Sequence, residues 1–167
     1  MKRKAWLLPL IVLIPVLLIL MWVYILQPLH RTSRLLKRAG IPLSAIRGVI
    51  DQDYWYDWLE YTDGYDWVIL RVDPDGFTPP QDWNTTSASL ADVKPQDGSR
   101  YHYFHWDFRE HSALPETFTA WIYIPVDPLA AFDDQEWFAA MYDEASGVLA
   151  LYRGHALYGI IPSYPVI

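Results

Sequence analysis

A single N-terminal transmembrane helix followed by a mainly β (or α+β) domain, with about six antiparallel strands in meander-type hairpins, is the fold class this sequence predicts. Three observations predict it. A long apolar run near the N-terminus carries no charge, aromatic and β-branched runs alternate with short turn signals further on, and the charges divide the chain in two.

The first element is the run from Ala5 to Leu26, 22 consecutive residues without a charge. As one helix it rises about 33 Å, enough for a hydrocarbon core of about 30 Å. Trp6 near one end, and Trp22 and Tyr24 near the other, suit the two membrane interfaces, and Pro9 and Pro15 bend such a helix without forbidding it. A cleaved secretory signal is the competing reading. Its apolar region runs about 7–15 residues before a cleavage site flanked by small residues, whereas this run is longer and continues into Gln27-Pro28-Leu29-His30. Residues 5–26 are therefore expected to contact the lipid bilayer. The short basic tail of Lys2, Arg3 and Lys4 resists translocation, which places the N-terminus in the cytoplasm and the C-terminal domain outside it.

Residues 29–39 read as an amphipathic helix with Arg31, Arg34 and Arg38 along one side. Gly40, Ile41 and Pro42 end it. The domain organisation is a transmembrane signal-anchor over 1–28, a basic juxtamembrane helix and linker over 29–47, and an acidic, aromatic-rich β domain over 48–167.

Within that domain, residues 53–61 and 65–72 flank Thr62-Asp63-Gly64 as a first hairpin. In 65–72 both alternating faces are apolar, the mark of a strand covered on both sides or of an exposed aromatic surface. Residues 100–108 and 117–126 form a second strand pair, and 136–143 with 148–156 a third, turning through Glu144-Ala145-Ser146-Gly147. Asp127-Pro128 is also a good helix start, so a helix over 128–146 competes with a short helical turn at 128–134 followed by the hairpin. The polar stretch 77–99 is a long connection with a helical turn near 87–93.

Composition limits the functions available. With 52% hydrophobic and 16% aromatic residues the chain can bury a core. The absence of cysteine excludes disulfides, thiolate-ligated metals and a thiol nucleophile. Residues 1–47 hold eight basic groups and no acid; residues 48–167 hold five basic groups against 20 acids, a net charge of −15. Such a domain repels nucleic acid and favours cationic partners, such as a basic protein or an envelope component.

No catalytic motif is present: there is no Gly-x-Ser-x-Gly elbow, HExxH helix, P-loop or dinucleotide fingerprint. No resident cofactor is expected, with one exception to weigh. His102, His105, Asp107, Glu110 and His111 crowd into ten residues, and His105, Asp107 and His111 form the candidate divalent-cation set, set against ordinary structural histidines. Asp73-Pro74-Asp75-Gly76 begins like a calcium loop, but Thr78 and Asn84 occupy the positions where an EF-hand needs Gly and Glu, so it reads as a turn. Asp51, Asp53 and Asp57 are similarly loose, carboxylates that allow weak calcium binding without a dedicated cage. Tyr54, Trp55, Tyr56, Trp58 and Trp83 are candidate binding residues, because exposed rings beside carboxylates suit a cationic or a sugar surface; the alternative is that they build the core. The expected function is a membrane-anchored, extracytoplasmic binding module with an acidic aromatic surface. The alternative is a glycan-binding or glycan-cleaving envelope protein using Trp/Tyr platforms and two carboxyl groups.

Overall fold

The structure is a computed structural model that describes residues 7–56, 63–93, 104, 106–125 and 136–156. The chain forms two compact units, Met1–Arg34 and Leu35–Ile167.

In the first unit, α1 covers Leu7–Met21, 15 residues with Pro15 inside it. A π-helical turn, Trp22–Leu26, follows, and the Gln27 N–H donates to the Trp22 carbonyl. The next helix, α2, spans Gln27–Arg38 and crosses into the second unit. The single span expected over 5–26 is thereby corrected. A run free of charge is not one α-helix when its backbone pairing changes at Trp22, and 15 residues rise only about 22 Å. Among the described residues no helix is long and apolar enough to cross a membrane. The transmembrane part of the fold class falls with that finding, as does the single-pass placement with a cytoplasmic N-terminus.

The second unit is mainly β. Gly40, at φ +72°, ends the α2 segment, and a 3-10 turn at Leu43–Ala45 leads into β1 (Ile46–Tyr56). The remaining strands are β2 (Asp63–Val72), β3 (Ala88–Ser89), β4 (Thr117–Phe118), β5 (Ala120–Ile124), β6 (Glu136–Asp143) and β7 (Val148–Ala156). Five of them make one antiparallel sheet in the order β1-β2-β7-β6-β5, and β3 and β4 pair separately as a two-residue ribbon. This is not a simple meander. The last described strand inserts beside β2, because β2 and β7 are apolar on both faces and gain most from the centre of the sheet.

Both faces are indeed covered. On one, Val68, Leu70, Leu149, Leu151, Phe138 and Tyr142 pack with Leu35, Leu36, Ala39 and Ile41 at the end of α2. On the other, Ile69, Trp67, Ala150, Tyr152, Trp137 and Met141 pack with Phe104, Phe108 and Phe118. Each fully buried aliphatic or aromatic side chain contributes about 1.5–3 kcal/mol.

The hairpin of 136–143 with 148–156 forms as expected. Residues 100–108 do not form the expected strand where they are described: Trp106–Arg109 is a short helix, α3. Aromatic density there signals burial, with Phe108 fully buried, and not an extended backbone. The expected turn at 128–134 lies outside the described residues, as do residues 57–62 of the first hairpin. Near 87–93, the expected helical turn is replaced at its start by β3. Asp73-Pro74-Asp75-Gly76 is a turn, with the Gly76 N–H donating to the Asp73 carbonyl at 3.0 Å. Arg47 pairs with Asp73 and holds its carboxyl below the usual carboxylate range.

One charged cluster is buried at Arg153 and Asp66 and reaches the surface through Glu136 and Arg38. Arg153 of β7 pairs with Asp66 of β2, and its Nη1 donates to Glu136 Oε1 of β6 at 3.1 Å. Arg38 of α2 donates to Glu136 Oε2 at 2.8 Å and lies 5.5 Å from the centre of the Phe138 ring. The Arg153 guanidinium and the Asp66 carboxylate so balance one another where desolvation would penalise either alone, and Glu136 and Arg38 extend the pairing toward solvent.

Candidate functional site

The site begins with the alternation of β1. From Asp51 to Tyr56 its register against β2 is unbroken, with Asp51 opposite Ile69, Asp53 opposite Trp67 and Trp55 opposite Tyr65. Residues two apart share a face, so Asp51, Asp53 and Trp55 stand on the side of the sheet that carries Trp67 and Ile69. That face is covered by α3 and the chain after it. Phe108 anchors this segment, with its ring 5.6 Å from Trp67 and 5.1 Å from Tyr152. The anchor sets Asp107, Glu110 and His111 beside Asp51 and Asp53. Between them lies an open depression of about 590 Å³, lined further by Gln52, Trp67 and Ser112. Among the described residues no Lys or Arg lines it.

His111 ties the two walls together. Its ring meets Trp67 edge-on at 5.7 Å, and its Nε2 lies 2.9 Å from Asp51 Oδ2. Its Nδ1 accepts the Ala113 N–H at 3.1 Å, so Nδ1 carries no proton in the neutral ring and Nε2–H donates to Asp51. Both ring nitrogens are therefore engaged within the protein.

Tyr65 lines up beside the same wall. Its ring stacks between Trp55, at 6.4 Å and 27°, and Tyr152, at 6.3 Å and 20°. Its hydroxyl donates to Asp53 Oδ2 at 3.2 Å. Burial first, then the Asp53 charge and hydrogen bond and the Asp107 charge, push the phenol up to about 12. A hydroxyl that stays protonated keeps donating to Asp53, which holds that carboxylate in position.

Of the predicted binding rings, Tyr54 and Trp55 are exposed, at 41% and 47%, and as neighbours they point to opposite faces of β1. Trp83 is buried in the core at 5% exposure and offers no platform. Tyr56 ends β1, and Trp58 lies outside the described residues. Of the predicted cation ligands, Asp107 and His111 do come together at the depression, while His105 lies outside the described residues. Among the described residues, no group of three or more His, Asp or Glu is arranged to hold a metal. Asp51, Asp53, Tyr65, Trp67 and Glu110 belong to the site although sequence reasoning gave them no joint role. The available signal was the two-residue spacing of Asp51 and Asp53, which puts both carboxylates on one strand face.

Comparison with known proteins finds no matching family model, no similar curated protein and no similar solved structure. The site's chemistry has to speak for itself.

Proposed function

We propose that the unit Leu35–Ile167 is a binding module that takes a cationic partner, a basic protein segment, at the depression between β1 and α3. One observation carries the reading: Asp51, Asp53, Asp107 and Glu110 converge on a single depression, and among the described residues no Lys or Arg lines it. Like charges gathered at one surface raise the local negative potential and draw in a cation, and aromatic groups beside them suit Lys and Arg in particular. The acidic excess of 48–167 acts in the same direction over a longer range. His111, bonded through Nε2 to Asp51 and through Nδ1 to the Ala113 N–H, serves to hold the Asp51 carboxylate in place.

The test is retention of the full chain on immobilised oligolysine against oligoglutamate over a range of salt. Asp53→Asn keeps an acceptor for Tyr65 and Glu110→Gln keeps the shape, so both remove charge with little else. Each exposed charge pair is worth about 0.2–1 kcal/mol, so the double variant is expected to bind roughly two- to thirtyfold more weakly. Retention that ignores both salt and the double substitution would refute the proposal.

A further inference from the structure

Five rings form one line across the face of the sheet that carries the site. Trp55 of β1 stacks on Tyr65 of β2 at 6.4 Å and 27°, and Tyr65 stacks on Tyr152 of β7 at 6.3 Å and 20°. Tyr152 continues onto Trp137 of β6 at 4.9 Å and 23°, and Trp137 onto Tyr123 of β5 at 5.7 Å and 25°. Every strand of the sheet contributes one ring. The register makes room for the line, because Gly154 stands opposite both Tyr65 and Trp137 and the indole fills the space over it. Bulk alone does not account for the composition. Phe104 supplies bulk at the same place, yet it meets Trp137 and Tyr152 edge-on, at 72° and 85°, while the stacked line is Trp and Tyr throughout.

Trp and Tyr are the aromatic side chains that give up an electron most readily, and an electron passes fastest between rings that touch. An oxidised tyrosine must also lose its phenol proton, because the radical cation is a strong acid. Tyr65 has the acceptor in place, its hydroxyl donating to Asp53 Oδ2 at 3.2 Å. Burial and the Asp53 charge push that phenol up to about 12, so at neutral pH it is oxidised with its proton still attached. We infer that the Trp55 end of the ladder is a one-electron relay: an oxidising radical in solution takes an electron from Trp55, and Tyr65 replaces that electron while its phenol proton passes to Asp53. Trp55 is the contact with solvent, at 47% exposure, and Tyr65 is half-buried behind it. The balance closes at each stage. The oxidant is reduced by one electron, Trp55 passes through its radical cation and is neutral again, and a neutral Tyr65 phenoxyl faces a protonated Asp53. A thiolate or ascorbate in solution returns the electron, and Asp53 returns the proton. Tyr152 and Trp55 flank the Tyr65 ring, which hinders the phenoxyl from coupling with a second radical.

The test is pulse radiolysis of the full chain with azide radicals, which oxidise tryptophan selectively. The tryptophanyl absorption should decay into the tyrosyl absorption in a phase whose rate is independent of protein concentration. That phase should slow in heavy water, because a proton moves with the electron. The chain holds nine Trp and twelve Tyr, so the relay's phase is identified by its loss in Trp55→Phe. Tyr65→Phe, which keeps the stacked ring, should slow it by an order of magnitude or more. Asp53→Asn keeps an acceptor for the hydroxyl but cannot hold the proton, and should slow it to a similar extent. Urea unfolding checks that each variant retains its fold, and the concentration and heavy-water readouts need no variant. A wild-type phase that depends on concentration or ignores heavy water overturns the relay, as does a phase unchanged in Trp55→Phe or in Tyr65→Phe. Loss of the phase in Tyr65→Phe with full rate in Asp53→Asn overturns the assignment of Asp53 as the proton acceptor.

Discussion

Gly154→Ala tests the packing that supports the site from beneath. Gly154 on β7 faces Trp137 on β6 in the sheet register, and the indole lies directly over the glycine. A Cβ built there falls 2.5 Å from Trp137 Cε2 and 2.9 Å from Cζ2, with Nε1 nearer still. Ordinary contact begins near 3.4 Å, so the ring has to move by about an ångström. It has nowhere to go. Trp137 is 3% exposed, stacks on Tyr152 at 4.9 Å and on Tyr123 at 5.7 Å, and meets the Phe104 ring edge-on at 5.3 Å. Overpacking of this kind costs about 1–3 kcal/mol, and each disturbed aromatic pair forfeits part of a further ~0.5–1.5 kcal/mol. The expected destabilisation is about 2–4 kcal/mol, read from urea unfolding followed by tryptophan fluorescence. Gly48→Ala is the control: nothing lies within 4 Å of its Cβ, and the change should fall within about 0.5 kcal/mol of neutral or stabilise slightly. In a Trp137→Leu background most of the Gly154→Ala cost should vanish, since the two residues act through one contact. A Gly154→Ala protein as stable as wild type, or one whose cost is unchanged beside Leu at position 137, would refute the reasoning.

Two more outcomes follow from the same interior. Arg153→Met leaves the buried carboxylate of Asp66 and that of Glu136 without their shared guanidinium, and should cost about 3–5 kcal/mol by urea midpoint; a cost below about 1 kcal/mol would mean that the cluster is not held as described. Tyr65 should appear in an ultraviolet titration as a phenol ionising near 12, and the amplitude above the ordinary range should fall by one tyrosine in Tyr65→Phe, with Tyr142, which burial also pushes up, still contributing. Because the folded value lies above the ordinary 10.0, the folded state holds its proton longer. Its contribution to stability is then complete below pH 10 and is lost as pH rises from 10 toward 12. A tyrosine titration without a component above the ordinary range would exclude the arrangement.

How far the sequence carries can be judged from particular residues. The hairpin of 136–143 and 148–156 was legible because two apolar runs flank Glu-Ala-Ser-Gly, and Gly147 takes the positive φ, +65°, that ends the turn. The two apolar faces of 65–72 left a strand covered on both sides or an exposed aromatic surface, and packing on both faces of the sheet selects the first. Residues 106–108 misled because Trp, Asp and Phe in a row report burial without reporting period. The apolar run of 5–26 misled in the opposite way: its composition is uniform, but its backbone pairing is not. At the site, Asp107 and His111 lie four residues apart around the end of α3, a spacing local enough to read. Asp51 reaching His111 across 60 residues is not.

What the sequence alone determined is a balance: a basic, acid-free segment, an acidic domain of −15, and enough alternating apolar surface for a two-faced sheet. Charge and periodicity are local or additive properties, so they survive without coordinates. The tertiary structure decided where that charge converges. Burial of Phe108 against Trp67 carries Asp107 and Glu110 to the one sheet edge that bears Asp51 and Asp53, and it left Trp83, equally aromatic in sequence, inside the core. Which rings pack and which stay exposed depends on contacts between distant strands, and no window of sequence contains them.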